Sequence, residues 1–271
     1  LTFIIAEAGV NHDGHIRKAM KMVDIAVDCG ADAIKFQVFS SELLEPPGER
    51  REMLKKLELT QPQFLELREY CGTRIEFMAT AFDVNSLEFL LGLGIKRIKI
   101  SSGQLTDRAM LAYAEGSGRP VIISTGMASG ADVEEAMRAL KYSTAVTILQ
   151  CTSAYPAPPE DINLKAMVGI GRSFGCQYGL SDHSLSTVIP AAAVALGASV
   201  IEKHFTMSRS DVGPDHRMSL EPFDLRRMIV GIRHVEKAMG DGVKRPTSSE
   251  NEVISIVKGR VAWAADRRKP K

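Results

Sequence analysis

The chain has 271 residues, 45% of them hydrophobic, and its 34 basic and 33 acidic side chains leave a net charge near +1. That is enough apolar material for one large α/β domain or two small ones, and the balanced charge, with no basic arm or tail, argues against nucleic acid or a membrane surface as partner. No apolar run approaches the roughly 20 residues of a bilayer span, and no charged-then-apolar leader opens the sequence, so the reading is a soluble, cytoplasmic protein.

The chain alternates two kinds of segment. FIIAEAG is a short β-rich run, and HIRKAMKMVDIAVDCG after it places Ile16, Met20, Val23 and Val27 on one helical face before ending at Gly30. ADAIKFQVF then precedes a helix near 61 to 71, IEFMAT precedes VNSLEFLLGLG, and KRIKISS precedes TDRAMLAYAEGSG. PVIIST precedes GADVEEAMRALKY, AVTILQCT precedes a looser helix near 163 to 174, and CQYGLSDHS precedes STVIPAAAVALG. SVIEKHFT and PFDLRRMIVGIRHVEKAMG close the series at eight strand–helix units.

Strands alternating with amphipathic helices imply parallel pairing through right-handed crossovers. Eight units in about 240 residues predict a closed (β/α)₈ TIM barrel, whose usual size is roughly 250 residues. An open doubly wound sheet is disfavoured: no GxGxxG or GxxxxGK[ST] loop follows any strand, and polar residues end nearly all the strands rather than two or three at a switch point. The domain reading is a barrel over 1–240 and a linker with a C-terminal extension over 241–271. GDGVKRPTSSEN has linker composition, although an ordinary barrel exit loop would have it too.

In such a barrel, catalytic groups project from the C-terminal rim, and side chains two apart on a strand share a face. The strand ends carry Glu7; Lys35 and Gln37; Thr80; Lys99 with Ser101 or Ser102; Ser124; Ser181 and His183; Glu202 and His204. Singly, a strand-end lysine is an ordinary rim residue and a histidine an ordinary hydrogen-bonded core group. Jointly they are expected to meet at one mouth, because burying that many polar groups unpaired costs a few kcal/mol apiece. Lys35 and Lys99 with nearby hydroxyls suit a small anion bearing phosphate or carboxylate. His183 and His204 could hold one divalent metal, although two histidines without an obvious third ligand would hold it weakly, and spacing alone leaves both readings open.

Other features read as structural. Cys29, Cys71, Cys151 and Cys176 lie far apart without a CxxC pair, as reduced core thiols do. Met20, Met22, Met110, Met127 and Met137 read as core filler, GERREML as a solvated helix start, and His12, His15, His216 and His234 as singletons, of which His12, just after the first strand, reads as a surface residue with substrate contact as the alternative.

Eight motifs in register, FIIAEAGVNHDG, IKFQVF, KISSGQ, ISTGM, QCTSAYPAP, GLSDHS, EKHFT and GPDHRMSLEP, run from residue 3 to about 250. Together they resemble the N-acetylneuraminate (sialic acid) synthases and their legionaminate, pseudaminate and spore-coat polysaccharide relatives. The resemblance implies a TIM-barrel transferase that condenses phosphoenolpyruvate with an N-acylated amino sugar to a nine-carbon 2-keto acid and phosphate. By the same resemblance His183 and His204 hold a divalent metal, normally Mn2+. Lys35, Thr80, Lys99, Ser102, Ser124 and Ser181 match positions that bind phosphoenolpyruvate, while Glu7, Gln37, Tyr155 and Asp215 match positions around sugar and metal, with Glu7 or Asp215 the candidate for proton transfer. A homodimer is implied as well.

Three departures bear on these expectations. Gln104 stands in SGQ where many relatives read SGE, which keeps hydrogen bonds and loses a charge. QVFSSELLEPPGERREMLKKLELT looks shorter than the family's usual loop. The family's small antifreeze-like domain, which reaches across the dimer, is expected to be absent from this chain, since it stops near where that linker would begin. The rival readings are another phosphoenolpyruvate-condensing or metal-dependent aldolase barrel, and a catalytically silent scaffold in polysaccharide assembly.

Overall fold

The computed structural model describes residues 1–140 and 145–266; the end of the segment GADVEEAMRALKY and the last five residues of the tail lie outside the described residues. Eight parallel strands close in sequence order: β1 (Phe3–Gly9), β2 (Ala33–Val38), β3 (Glu76–Ala81), β4 (Ile98–Ile100), β5 (Val121–Ser124), β6 (Val146–Cys151), β7 (Gln177–Asp182) and β8 (Val200–His204). The barrel closes where β1 pairs with β8. Helices between the strands are α1 (Ile16–Cys29), α2 (Ser41–Leu44), α3 (Glu49–Lys55), α4 (Gln61–Cys71), α5 (Val84–Gly92), α6 (Arg108–Gly116), α7 (Gly130–Ala139), α8 (Leu164–Phe174) and α9 (Ile189–Ala195). They are followed by α10 (Pro222–Ala238) and α11 (Asn251–Asp266). The chain is a (β/α)₈ barrel, as the alternation implied. No helix among the described residues is long and apolar enough to cross a membrane.

Helix starts follow local chemistry. Thr60 and Ser129 form capping boxes with Gln63 and Asp132 at α4 and α7, and the carboxylates of Asp83 and Asp107 accept the first free N–H groups of α5 and α6. The face of α1 differs from the expected one: Ala19, Met22, Val23, Ala26 and Cys29 are buried, while Ile16, Met20 and Val27 pack at its margin. The buried set itself keeps the i, i+3, i+4, i+7 spacing of one helical face, with Met22 and Val23 turned inward beside the alanines. The segment GERREML does form a solvated helix, α3, with no buried residue.

Period-two alternation divides the sheet's side chains into two buried sets. The outward set packs under the helices and forms the main core. The inward set begins with an apolar layer of Ile5, Ala33, Met78, Ile122, Leu149 and Val200, which plugs the barrel. Two residues further along the strands, the same rows become Glu7, Lys35, Thr80, Ser124, Cys151 and Glu202. Gly179 belongs to this interior because a Cβ there would sit 2.0 Å from the Val200 carbonyl oxygen.

The chain divides into two compact units, Leu1–Glu236 and Lys237–Lys271. The first is the barrel. The second consists of an irregular stretch and α11, entered through a short turn in which Thr247 and Glu250 cap each other.

Candidate active site

The polar layer above the plug lines a cavity of about 290 Å³ at the C-terminal mouth. Lys35 and Lys99 are almost fully buried there. Lys35 Nζ lies 2.7 Å from Glu7 Oε2 and 3.6 Å from Glu202 Oε2, and donates to Thr80 Oγ1 at 2.7 Å. Lys99 Nζ donates to Ser124 Oγ at 2.7 Å and to the Ile100 carbonyl at 3.1 Å, and lies 3.6 Å from Glu202 Oε1. Ser181 Oγ donates to the same Glu202 oxygen at 2.9 Å. Two ammonium groups thus meet two carboxylates, Glu202 shared by both, in a quartet whose desolvation is offset by mutual attraction.

Protonation follows from this sharing. Burial pushes the Glu7 carboxyl up to about 7 against the pull of Lys35, with Glu202 adding to the rise. Glu202 is buried too, yet Lys35 and Lys99 together outweigh burial and hold it below its ordinary range. Lys35 is held high by Glu202 and Glu7 in spite of burial, whereas for Lys99 burial prevails and lowers it. Glu7 is therefore the carboxyl that can exchange a proton near neutrality, while Glu202 stays a fixed anion.

His183 and His204 stand at the top of β7 and β8 with ring centroids 5.3 Å apart. His183 Nδ1 is 2.7 Å from the Thr152 carbonyl. Since a carbonyl only accepts, Nδ1 carries a proton; burial opposes the charged ring, but Cys151, this carbonyl and Glu202 push His183 above the ordinary histidine range. Burial, then the neighbouring His183, Lys35, Lys203 and Lys99, keeps His204 neutral well below the usual histidine range. Its Nδ1 is buried with no hydrogen-bond partner, and Asp215 Oδ2 lies 3.9 Å away. Two imidazoles 5.3 Å apart, one with an orphaned Nδ1, beside a carboxylate fit a divalent cation of intermediate hardness.

Two further contacts shape the mouth. The Tyr155 ring lies 4.4 Å from the His183 ring, and the side chain is otherwise exposed. Gly9, at φ 52°, leaves room for Asp215: a Cβ at that position would come within 2.9 Å of Asp215 Oδ2. Burial raises the Asp215 carboxyl, with His183 and His216 opposing.

Of the twelve residues singled out from the sequence, Glu7, Lys35, Gln37, Thr80, Lys99, Ser102, Ser124, Tyr155, Ser181, His183 and His204 line this cavity. Asp215 stands behind His204 rather than on the wall. Glu202, a strand end to which the sequence assigns no role, is the carboxylate that both lysines share; its alternation with His204 is the signal in the sequence. Gln104 lies outside the wall and accepts from Ser101 Oγ.

Several bland readings need correction. Cys151 lines the cavity instead of merely packing the core, with Sγ 3.8 Å from His183 Nδ1. Met127, at φ 66°, is exposed at the mouth. His12 is buried rather than on the surface, and His216 is buried too. His12 packs on Phe36. His216 joins Thr206 Oγ1 at 2.7 Å to Asp13 Oδ1 at 2.9 Å, which ties the loop after β8 to the loop after β1.

Ligand atoms of Asp13, Asp211 and His216 also lie within 4.8 Å of one another. Lys18 bridges the two carboxylates, at 2.7 Å from Asp211, so a positive charge already occupies that cluster. A larger hollow of about 820 Å³ opens beside Phe3, Arg74, Glu76 and Lys96. It lies at the N-terminal ends of the strands, where a barrel's conserved features serve stability, and the Arg97–Glu76 ion pair at 2.8 Å stiffens its wall.

Comparison with known proteins bears on the same region. The family model described as NeuB family matches residues 22–244. The chain is 41% identical over 288 residues to the N,N'-diacetyllegionaminic acid synthase of Campylobacter jejuni, covering 99% of this chain and 86% of that one. It is 39% identical over 286 residues to the protein of the same name from Legionella pneumophila, with 97% and 80% covered. The crystal structure of an N-acetylneuraminic acid (sialic acid) synthetase from Leptospira borgpetersenii superposes with a TM-score of 0.88 at 37% identity, over 99% of this chain and 93% of that one.

Proposed function

This chain belongs to the NeuB family and is an enzyme of its synthase type, and on that footing we propose that it condenses phosphoenolpyruvate with an N-acylated amino sugar, N-acetylmannosamine or a relative. The products are a nine-carbon 2-keto sugar acid and phosphate. The observation that carries this reading is the quartet of Glu7, Lys35, Lys99 and Glu202 set in the same cavity as His183 and His204.

On this reading Lys35 and Lys99 balance the phosphate and carboxylate of phosphoenolpyruvate, with Thr80, Ser102, Ser124 and Ser181 as hydroxyl partners. Donors held in place before the reaction need no reorganisation as charge develops, the usual source of the largest barrier reduction. C3 of phosphoenolpyruvate forms the new bond to the aldehyde carbon of the open-chain sugar. Water adds at C2, and phosphate departs with cleavage of its bond to C2. Glu7, half-protonated near neutrality, takes or gives the proton that these steps move. Gln37 and Tyr155 on the wall, with Asp215 near His204, are assigned to the acceptor sugar and metal on this reading. His183 and His204 would hold the divalent metal, Mn2+ on this reading, which when bound supplies Lewis-acid polarisation of the aldehyde.

The reading also takes the working form to be a cytoplasmic homodimer; a monomer mass by light scattering would remove the dimer from it. The test of the reaction is a panel of amino sugars with phosphoenolpyruvate and Mn2+, read by phosphate release and product mass. Expected is metal-dependent release with at least one acceptor, lost in His183→Ala and His204→Ala. Keto-acid formation without phosphate would indicate a simple aldolase, and unchanged turnover in both histidine variants would take the metal out of the mechanism.

A further inference from the structure

Asp182 and Lys203 form a buried ion pair on the outer face of the sheet. In β7 and β8, Ser181 stands opposite Glu202 and Asp182 opposite Lys203. Because side chains alternate, Ser181, His183, Glu202 and His204 face the cavity. Asp182 and Lys203 face the helices, following Leu180 and Ile201 of the main core. Outward positions on β1 to β5 are apolar: Ala6, which pairs with Lys203, and Val38, Ala81, Ile100 and Ile123.

The contacts of this pair are specific. Lys203 Nζ lies 2.6 Å from Asp182 Oδ2, donates to the Ser184 carbonyl, and reaches Ser184 Oγ at 3.4 Å. Ser184 returns its N–H to Asp182 Oδ1 at 2.8 Å. One ammonium therefore grips the residue before His183 and the residue after it, and that ammonium belongs to the residue before His204. Stability alone is a poor reason for such a pair, since apolar side chains of similar volume commonly stabilise a core as well or better.

We propose that the Asp182–Lys203 pair is a positioning device that sets the separation and orientation of the His183 and His204 imidazoles, and through them the affinity of the mouth for a divalent metal. The affinity half rests on the metal reading above; the geometric half does not. Asp182→Leu/Lys203→Met in the full chain removes both charges together and so avoids stranding either one. Crystal structures of this variant and the parent, both free of metal, report the ring separation, which is 5.3 Å in the parent.

A change of about 1 Å, or loss of the Nδ1 contact from His183 to Thr152, is expected in the variant, a displacement large enough to spoil a site. Calorimetric titration with Mn2+ should show affinity lowered about 10- to 100-fold, the usual effect of losing an outer partner of a ligand. An unchanged ring pair overturns the proposal. So does a folded variant with displaced rings that binds Mn2+ within about threefold of the parent, well short of that usual loss. Should the parent bind no Mn2+, the metal reading fails and the ring geometry alone decides. If the double variant does not fold, Asp182→Asn, which keeps the shape and removes one charge, is read the same way.

Discussion

Lys35 and Lys99 on the inner side of the sheet and Lys203 on the outer side are about equally hidden, at 4%, 3% and 1% exposure, yet their partners differ in kind. Lys203 has a carboxylate of its own and a carbonyl, and the pair is closed among helices. Lys35 and Lys99 divide Glu7 and Glu202 between them, and the remaining capacity of all four faces an open cavity. Burial of charge therefore does not by itself mark a site. Buried charge with shared partners and access to an opening does, because a substrate anion can complete the coordination that the protein leaves incomplete.

Four measurements can break or sharpen that comparison. The largest effect on activity is expected from Lys99→Met, which should lower phosphate release about 10²- to 10³-fold, as loss of one preorganised donor commonly does. A variant as active as the parent would place the anion elsewhere. Next is Lys203→Met alone, which strands the Asp182 carboxylate and should destabilise the fold by about 3–5 kcal/mol in denaturant titration. A shift far below that would mean that water reaches the outer pair.

Gly179→Ala follows, at about 3 kcal/mol, because its Cβ would overlap the Val200 carbonyl and push β7 from β8; the same titration measures it. The smallest effect concerns pH. The folded state binds the Glu7 proton more tightly than the unfolded chain, so the stability due to this group is full below about 4.5 and lost as pH rises through about 7. The same ionisation should appear as an inflection near 7 in the profile of kcat/KM. Glu7→Gln should abolish that inflection, and an unaltered profile would assign it to another group.

The fold was legible because it depends on local pattern. Strand–helix alternation and turn residues specify eight parallel units, and the strand-end polar residues fall on one face by period two. Most of the mouth was legible for the same reason: Lys35 and Gln37, Ser181 and His183 each sit two apart on one strand. The misread residues share a different feature. His216 is buried through Asp13, 203 positions away in the chain, and Cys151, inward by the same period two, meets His183 only in the fold. The buried face of α1 does follow helical spacing, through Ala19, Met22, Val23 and Ala26, but its alanines are outweighed in the sequence by the larger Ile16, Met20 and Val27.

From the sequence alone came the barrel, the direction in which its rim residues point, and the resemblance that named a chemistry. Only the folded arrangement decided which carboxylate burial pushes toward neutrality, which imidazole nitrogen is left without a partner, and that Asp182 pairs with Lys203 beside the two histidines. The reason is that periodicity is carried by covalent spacing, whereas desolvation and Coulomb interaction act through space between groups that the chain keeps far apart.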